Sequence, residues 1–390
     1  MDICIIGGSF RGMECAYLAK KAGYGVTVID RDDSAPARTM ADRFYAMDPL
    51  KNPASAKALF SGAGAVVPAT GNIELLREMD RVFKGIDTPL LFDVAAYSAA
   101  ASKTISRRLL DGIGIPAPAM WPECGFPAVV KPMDSHSRIP TSVVNTLDEL
   151  RSIDEHIVLA GDDSFIQECV PGTKMVTCVI GNGERTLPCI SGELEVDDGF
   201  DKKRVRCDPT INSRPAAAKL SKLARDIAEA MSVVGPLFVE GTEIQDEAVI
   251  LDIDACVVSM MPTAILHSTG FNLLEVLMAA RVKDIKPVAP RVKRATICEH
   301  ILVTDDRLRF CGNREFSRIS CPRIHEGLFG STEIITDYAP GLRTWRATLV
   351  TTGSDMGDAE RKRAECIENI VSECGITLIE DPKPRIGTSN

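Results

Sequence analysis

A pair of β-rich runs past the middle of the chain constrains the fold more than any other stretch. The runs cover Pro236–Ile244 and Ala248–Asp254 and flank an acidic turn, which predicts a β-hairpin. Asp252 and Asp254 share one face of the second strand, because side chains two residues apart point the same way. If the loop has three residues, Asp246–Ala248, Glu240 lies opposite Asp254 on that face; a bulge near Gly241 is the alternative way to bring the three carboxylates together. Three carboxylates there suit Mg²⁺, which binds carboxylates plus phosphate oxygens; a solvated acidic surface is the alternative.

Composition and charge exclude several classes of protein. The chain has 390 residues, of which 45% are apolar and 25% charged, as in a globular protein of two or three domains. Its net charge of −9 argues against a nucleic-acid partner, and no apolar run is long enough to predict a membrane span. The chain enters a predicted strand without a leader, and its 13 cysteines show no CxxC spacing. We therefore expect reduced thiols and a cytoplasmic location.

The first thirty residues predict a βαβ unit. A strand at Asp2–Ile6 is followed by a glycine turn, an amphipathic helix and a second strand that ends at Asp30. In such folds a carboxylate at this place binds a ribose hydroxyl. The glycines are spaced GGxxxG instead of GxGxxG, so a tight turn without any dinucleotide is an equal alternative. Further buried runs at 63–68 and 88–92 predict a small doubly wound domain over residues 1–92.

The features that follow have an order that suits phosphoryl transfer. Lys103 lies in a predicted helix, Lys131 ends a predicted strand, and Ser164–Val170 predicts another strand. Phosphoryl transfer needs cations on the phosphates, metal ions that bridge them and an apolar edge for the base. The two lysines would be the cations, and the backbone of Gln167–Val170 would read an adenine edge. Solvated lysines and an ordinary half-buried strand are the alternatives. The stretch 173–210, which carries an acidic patch, is interpreted as exposed loop.

In order and spacing these features resemble the ATP-grasp superfamily of carboxylate–amine ligases, and within it the ligases of pyrrolysine biosynthesis. The resemblance covers most of the chain and is carried by GGSFRGMECAYLAKKAG…VTVID (Gly7–Asp30), MADRF (Met40–Phe44), PLLFDVAAY (Pro89–Tyr97), GIGIPAP (Gly112–Pro118), VVKP (Val129–Pro132), ILDIDA (Ile250–Ala255), PTAILHSTGFNLLE (Pro262–Glu275) and CEHIL (Cys298–Leu302). VVKP and ILDIDA are found across the superfamily. The N-terminal block and PTAILHSTGFNLLE indicate the pyrrolysine-pathway ligases.

The resemblance implies a fold and a reaction. The fold is α/β, with α+β character in its later lobes: an N-terminal Rossmann-like pre-ATP-grasp domain at 1–92 precedes a two-lobed ATP-grasp domain. Its linker and small lobe would span 93–175, and its large lobe with a C-terminal extension 176–390. The implied reaction joins the carboxylate of 3-methyl-D-ornithine to the ε-amine of L-lysine through an acyl phosphate, with ATP and one or two Mg²⁺ ions. A homodimer is the implied assembly.

The resemblance also implies a set of site residues. The expected ATP contacts are Lys103, Lys131, Gln167, Glu168, Cys169, Val170 and Asp252. Asp30 and Arg138 are also expected to contact ATP, Asp30 from the βαβ pattern and Arg138 from the loop after Lys131. The expected amino-acid contacts are Ser9, Phe10, Arg11, Ser259, Met260 and Met261. The expected metal ligands are Glu240, Asp252 and Asp254. No residue is identified as the base that deprotonates the lysine amine.

Several positions depart from the family pattern. The loop over the phosphates reads SHSRIP (Ser135–Pro140) where the family is rich in serine and glycine, and Cys256 stands where arginine is usual. Gly71 and Asn313 stand where substrate-binding glutamates are expected, and Met260 makes its segment more apolar. These departures leave two alternatives open, a ligase for another amino acid–amine pair and a degenerate nucleotide-binding relative. An NAD-linked oxidoreductase would rest on the βαβ pattern alone.

Overall fold

The structure, a computed structural model, describes residues 1–132, 141–153, 164–281 and 290–384. The whole SHSRIP loop, Arg138 included, lies outside the described residues. The α-helices cover Phe10–Lys21, Pro53–Ser61, Ile73–Phe83, Val94–Ala101, Lys103–Gly112, Leu147–Ile153, Pro215–Ala230, Met261–Thr269, Leu273–Arg281, Asn313–Phe316 and Met356–Cys374. Short 3₁₀ helices lie at Pro36–Met40, Ile211–Ser213 and Leu328–Gly330. Within these ranges no helix is long and apolar enough to cross a membrane.

The N-terminal part contains a parallel four-stranded sheet. In chain order its strands are Asp2–Ile6 (β1), Gly25–Asp30 (β2), Arg43–Ala46 (β3) and Ala65–Pro68 (β4). They lie in the order β3-β2-β1-β4, and the inner strands are buried, as expected of a parallel sheet covered by helices.

The buried run at 88–92 forms no strand, contrary to expectation. Leu90 makes an isolated parallel bridge to Val66 at the edge of the sheet. The run is cut short on both sides, because Pro89 has no N–H to donate and Asp93 already begins the next helix. The Asp93 side chain accepts a hydrogen bond from the Ala96 N–H as the cap of that helix.

A separate antiparallel sheet has three strands among the described residues. They are Ala128–Pro132 (β5), Ser142–Val144 (β6) and Ser164–Glu168 (β7), in the order β6-β5-β7. The sheet has a small core of its own, which Val130 and Leu150 share. Lys131 lies near the end of the central strand, opposite Phe165.

The rest of the chain builds a sheet with twelve strands among the described residues. These strands are Thr173–Asn182 (β8), Thr186–Pro188 (β9), Gly192–Val196 (β10), Lys202–Cys207 (β11), Val234–Ile244 (β12), Glu247–Asp254 (β13), Ala295–Thr304 (β14), Arg307–Phe310 (β15), Arg323–Glu326 (β16), Glu333–Thr336 (β17), Thr344–Gly353 (β18) and Leu378–Glu380 (β19). The main order is β13-β12-β8-β10-β11-β14-β18-β17-β16; β9 pairs with β8, and β15 links β14 to β19.

The interpretation of residues 173–210 as exposed loop is wrong, because they form β8 to β11 in the middle of this sheet. The acidic patch is not a solvated loop either. Glu195 lies opposite Arg204 in the β10–β11 register and binds it as an ion pair. Asp197 is buried and accepts a hydrogen bond from the Gly312 N–H at 2.9 Å. The charges of neighbouring strands neutralise one another, which a reading of one strand at a time does not reveal.

Strands β12 and β13 form the predicted hairpin with a shorter turn and a different register. The turn has two residues, Gln245 and Asp246, with φ of 48° and 67°. Two positive φ angles are typical of a type I′ turn, whose twist matches that of the strands. The expected three-residue loop is therefore wrong, and so is the placement of Glu240 opposite Asp254. Glu240 lies opposite Asp252.

A β-bulge keeps the three carboxylates on one face. On the turn side of the bulge Gly241 lies opposite Ile250, and on the far side Glu240 lies opposite Asp252, which leaves Leu251 as the extra residue. If the same residues paired without a bulge, the register set by the turn would place Glu240 opposite Leu251, and its side chain would point away from the two aspartates. The bulge therefore assembles the acidic face that the sequence predicted.

Candidate active site

A cavity of about 250 Å³ lies between the three-stranded sheet and the hairpin. Its charged lining consists of Lys103, Lys131, Glu168, Lys174, Lys202, Glu240 and Asp252. Its apolar lining includes Val129, Val170, Leu194, Val196, Phe200 and Leu251. A cavity with one charged and one apolar portion suits a ligand that has an anionic end and a flat apolar end.

Lys103 and Asp252 form the ion pair at the centre of the charged portion. Lys103 begins the helix Lys103–Gly112, and its Nζ donates to both carboxylate oxygens of Asp252 at 2.5 Å each. The side chains are only 20% and 26% exposed. Burial opposes the charge of Lys103, but the nearby carboxylates, Asp252 foremost, outweigh it and raise the pKa of the ammonium. Burial also opposes the charge of Asp252, and the neighbouring lysines lower the pKa of that carboxyl.

Lys131 is held by the bulge. Its Nζ donates to the carbonyl oxygen of Leu251, the extra residue, at 2.9 Å. Burial lowers the pKa of Lys131, and the negative charge of Asp252 opposes that shift. The irregularity that orients the carboxylates thus also positions a lysine beside them.

Lys202 and Lys174 line the cavity and were missed in the sequence. Lys202 forms an ion pair with Glu240, and its Nζ lies 3.6 Å from an oxygen of Asp254. Burial opposes the charge of Lys202, but Glu240 and Asp254 outweigh it and raise its pKa. Lys174 lies 5.2 Å from the ring centroid of Phe200, and burial lowers its pKa. The run KKRVRC, which makes up the whole of β11, carries charges on both faces and so gave no alternating signal for Lys202.

The segment expected to read an adenine edge borders the same cavity. Gln167, Glu168, Cys169 and Val170 all line it. The backbone N–H groups of Glu168 and Cys169 donate to the carbonyls of Ala119 and Pro127, at 2.8 and 3.0 Å. These bonds fix the segment against the preceding loop.

Asp30 lies outside the cavity lining, although it was expected to contact ATP. Its carboxylate accepts hydrogen bonds from the N–H groups of Gly8 at 2.5 Å and Asp32 at 2.8 Å. Gly8 has no room for a side chain, because a Cβ there would lie 2.7 Å from Ala35. Asp30 therefore closes the glycine turn, which agrees with the structural alternative for that motif.

The expected amino-acid contacts fall into two groups. Ser9 is exposed, while Phe10 and Arg11 are half-buried at the start of the first helix. Arg11 lies close enough to Asp254 and Tyr97 to interact with both. Asp254 therefore interacts with two cations, Lys202, whose Nζ lies 3.6 Å away, and Arg11.

The second group is in the core. Met260 and Met261 are 0% and 1% exposed, and Ser259 is 4% exposed with its Oγ 3.3 Å from Nε2 of His300. The structure therefore does not present these three side chains to an open cavity. Asn313 also contacts His300, at 3.2 Å, and burial lowers the pKa of that imidazole to about 3.

Gly71 lies beside Tyr97. A Cβ built at Gly71 would lie 3.3 Å from the tyrosine hydroxyl, so a larger side chain there would have to displace it. Cys256, at the other departure, is buried, and burial raises the pKa of its thiol to about 11. Its neutral thiol does not replace the charge of an arginine.

The three hairpin carboxylates share a face without forming a closed metal cluster. Over the described ranges no group of three or more His, Cys, Asp or Glu side chains lies close enough to hold a metal ion. Each carboxylate instead has a lysine within 4 Å, as the ion pairs above show. Carboxylate oxygens beside a phosphate-sized cationic cavity are nevertheless the donor set that Mg²⁺ uses together with phosphates.

Comparisons with known proteins were made on sequence and on fold. No protein-family profile matches the chain. It is 28% identical over 310 residues to the 3-methyl-D-ornithine–L-lysine ligase of Methanosarcina mazei, covering 78% of each chain. It is 27% identical over 301 residues to the ligase of the same name from Methanosarcina barkeri, covering 77% of this chain and 79% of the relative.

Solved structures agree in fold at low sequence identity. The ADP complex of N5-carboxyaminoimidazole ribonucleotide synthetase superposes with a TM-score of 0.70 and 14% identity, over 95% of this chain and 97% of the other. An L-amino acid ligase from Bacillus licheniformis gives 0.66 and 13%, over 94% and 97%. A biotin carboxylase complex from Campylobacter jejuni gives 0.70 and 15%, over 94% and 91%.

Proposed function

We propose that the chain is an ATP-dependent carboxylate–amine ligase with the α/β ATP-grasp fold, and that it joins 3-methyl-D-ornithine to the ε-amine of L-lysine. The reaction would pass through an acyl phosphate and form ADP and phosphate. The observation that carries the proposal is the cavity in which four lysines meet Asp252 and Glu240 beside an apolar wall. The names of the relatives supply the substrates.

In this proposal ATP lies with its phosphates among the lysines and its base against the apolar wall. Lys103 and Lys131 contact the phosphates from two different elements, a helix start and a strand end. Gln167–Val170 borders the base. Lys131 suits this task because its pKa is lowered, so the protonated form gains from the arrival of phosphate charge.

Glu240, Asp252 and Asp254 would hold Mg²⁺, which screens the phosphate charge when it is bound. Their common face, set by the bulge, directs them to the same side of the hairpin. The lysines that pair with them would then be available for phosphate oxygens.

The two substrates react in sequence. The carboxylate of the ornithine-type substrate attacks the γ-phosphorus of ATP, and ADP leaves with the bond electrons. The ε-amine of lysine, with an ordinary pKa of about 10.4, must lose a proton before it attacks the acyl carbon and expels phosphate. In this proposal Arg11, a cation that interacts with Asp254, would bind a substrate carboxylate.

Product analysis tests the proposal. The purified protein is incubated with both amino acids and MgATP, and products are identified by mass spectrometry and nucleotide chromatography. We expect ADP, phosphate and an Nε-linked dipeptide that requires both amino acids. Release of AMP and pyrophosphate would exclude the acyl-phosphate route.

A ligase for a different amino acid–amine pair is the second candidate. Two positions favour it, since Gly71 abuts the Tyr97 hydroxyl and Asn313 contacts a neutral His300 where charged side chains were expected. A panel of D- and L-amino acids in the same assay separates the two. ADP formed only with another pair would support the second candidate and overturn the first.

A further inference from the structure

We propose that Lys103 and Lys202 act as internal counter-ions for the hairpin carboxylates, so that the divalent cation binds the enzyme only together with nucleotide phosphates. The inference rests on the proposed function, because it takes Glu240, Asp252 and Asp254 as the metal ligands. It adds the condition under which these carboxylates become available to a metal ion. In the free enzyme the site is closed by lysines, and the phosphates open it.

Asp252 is the first proposed metal ligand that a lysine blocks. Both of its oxygens face one ammonium group, that of Lys103, at 2.5 Å. One oxygen also accepts the N–H of Ile253 at 2.9 Å. A metal ion approaching Asp252 must therefore displace a charged hydrogen bond, which is stronger than a neutral one.

The second closed ligand set is Glu240 with Asp254. Lys202 contacts Glu240 directly and lies 3.6 Å from Asp254, so one ammonium group stands between the two carboxylates. Its side chain is 22% exposed, and those of Glu240 and Asp254 are 19% and 34% exposed. Lys202 thus takes the place between acidic side chains that a bound cation would otherwise fill.

The charge balance explains why phosphates open the site. The cavity lining has four lysines and three carboxylates, Glu168, Glu240 and Asp252. Asp254 adds a fourth carboxylate and the nearby Arg11 a fifth cation, so the site is already net positive before any metal arrives. A divalent cation alone adds to that excess. Phosphates reverse it and give both lysines new partners, and the carboxylates are released to the metal. The coupling must be reciprocal: metal raises nucleotide affinity by the factor by which nucleotide raises metal affinity.

Mn²⁺ binding measured by electron paramagnetic resonance tests the inference without any turnover. Free Mn²⁺ is titrated against the wild-type protein alone and against the protein with ADP, corrected for the Mn²⁺–ADP complex formed without protein. We expect Mn²⁺ to bind at least about tenfold more tightly with ADP, within the range typical of coupled sites. In Lys202→Met the free protein should gain about tenfold in Mn²⁺ affinity, because two carboxylates lose their counter-ion.

Lys219→Met is the matched control. It removes the same charge from an exposed lysine, 44% exposed, that pairs with Glu247 at the turn end of the hairpin. Its Mn²⁺ affinity should equal that of the wild type. An equal gain in both variants would mean a general charge effect and would overturn the inference.

The wild-type titration alone separates the remaining outcomes, even if Lys202→Met does not fold. Equal Mn²⁺ affinity with and without ADP overturns the counter-ion inference and leaves the proposed metal site intact. Absence of Mn²⁺ binding even with ADP removes the metal role of the hairpin carboxylates, and the inference with it. Lys202→Arg should behave as the wild type, since arginine keeps the positive charge between the carboxylates.

Discussion

Asp252→Asn is the most informative single substitution in the cavity. Asparagine keeps the shape of the side chain but replaces one oxygen by an NH₂ group, which neither binds a cation nor accepts from Lys103. In the structure both oxygens of Asp252 are used, each at 2.5 Å from the Lys103 ammonium. The substitution therefore removes a charge and one of two equivalent contacts.

The expected loss follows from that geometry. Removing one preorganised electrostatic contact typically costs about 10²–10³ in kcat, roughly 2.7–4 kcal/mol. Asp254→Asn makes the same charge change two residues further on, where one oxygen lies 3.6 Å from Lys202 and the side chain is 34% exposed. We expect about tenfold there, roughly 1.4 kcal/mol. Asp252→Glu keeps both oxygens and should retain more activity than Asp252→Asn.

The rate of ADP release is measured for all three variants at saturating Mg²⁺ and ATP. Urea unfolding serves as the control, because neutralising Asp252 leaves the largely buried Lys103 without its closest partner and should itself lower the free energy of unfolding by about 3 kcal/mol. A large loss of turnover in a folded protein then reflects the site. Equal, near-native rates for Asp252→Asn and Asp254→Asn would refute the metal-site reasoning, since on a merely solvated face neutralising either aspartate leaves turnover unchanged.

Three other outcomes are expected. Deletion of Leu251 removes the bulge and, with it, the carbonyl that accepts from Lys131 at 2.9 Å, while Glu240 stays opposite Asp252 in a regular register. The rate of ADP release should fall by about 10²-fold, the usual effect of losing one preorganised electrostatic contact. Normal turnover by the deletion variant would contradict the role of the bulge in positioning Lys131. The imidazole of His300 has a pKa of about 3 in the folded protein and 6.5 in the unfolded chain. The folded protein therefore has its full stability above pH 6.5, where His300 is neutral in both states. The free energy of unfolding should decline below that pH by up to about 1.4 kcal/mol per unit, and His300→Asn should flatten the decline in urea titrations. Asp381→Asn removes the anionic partner of the fully buried Lys203, which Asp381 binds at 2.5 Å, and should lower the free energy of unfolding by about 3 kcal/mol. An unchanged urea midpoint would show that Lys203 finds another partner.

The elements of the hairpin could be predicted from sequence, and a bulge near Gly241 was one of the two predicted ways to align them, but the turn length and the exact register could not be chosen. Alternating apolar residues on either side of an acidic turn are local signals, and both strands formed where they were expected. The turn sequence Gln245-Asp246 does not contain the glycine that usually marks a type I′ turn. The extra residue of the bulge, Leu251, is an ordinary apolar residue of the strand. Register was therefore decided by tertiary contacts, among them the bond from Lys131 to the Leu251 carbonyl.

Lys174 and Lys202 were missed in the sequence for a different reason. In the run 202–207 charged residues occupy both faces of the strand, because Lys203 points into the protein and is 0% exposed. Its partner Asp381 lies 178 residues further along the chain. No local pattern shows that such a lysine is neutralised, so the strand resembles an exposed loop and Lys202 is lost with it. Lys103 and Lys131 were found because each borders an apolar run.

The bulge also lets the second strand of this hairpin lose one residue without dividing the acidic face. Removing one residue from each strand between the turn and Glu240 shortens the hairpin and leaves Glu240 opposite Asp252. Removing a single residue from the second strand between the turn and Asp252 has the same result, because the pairing becomes regular and takes up the bulge. Deletions of one codon on that side of the turn should therefore preserve the common face of the three carboxylates. They would, however, remove the irregularity at which the Leu251 carbonyl accepts from Lys131.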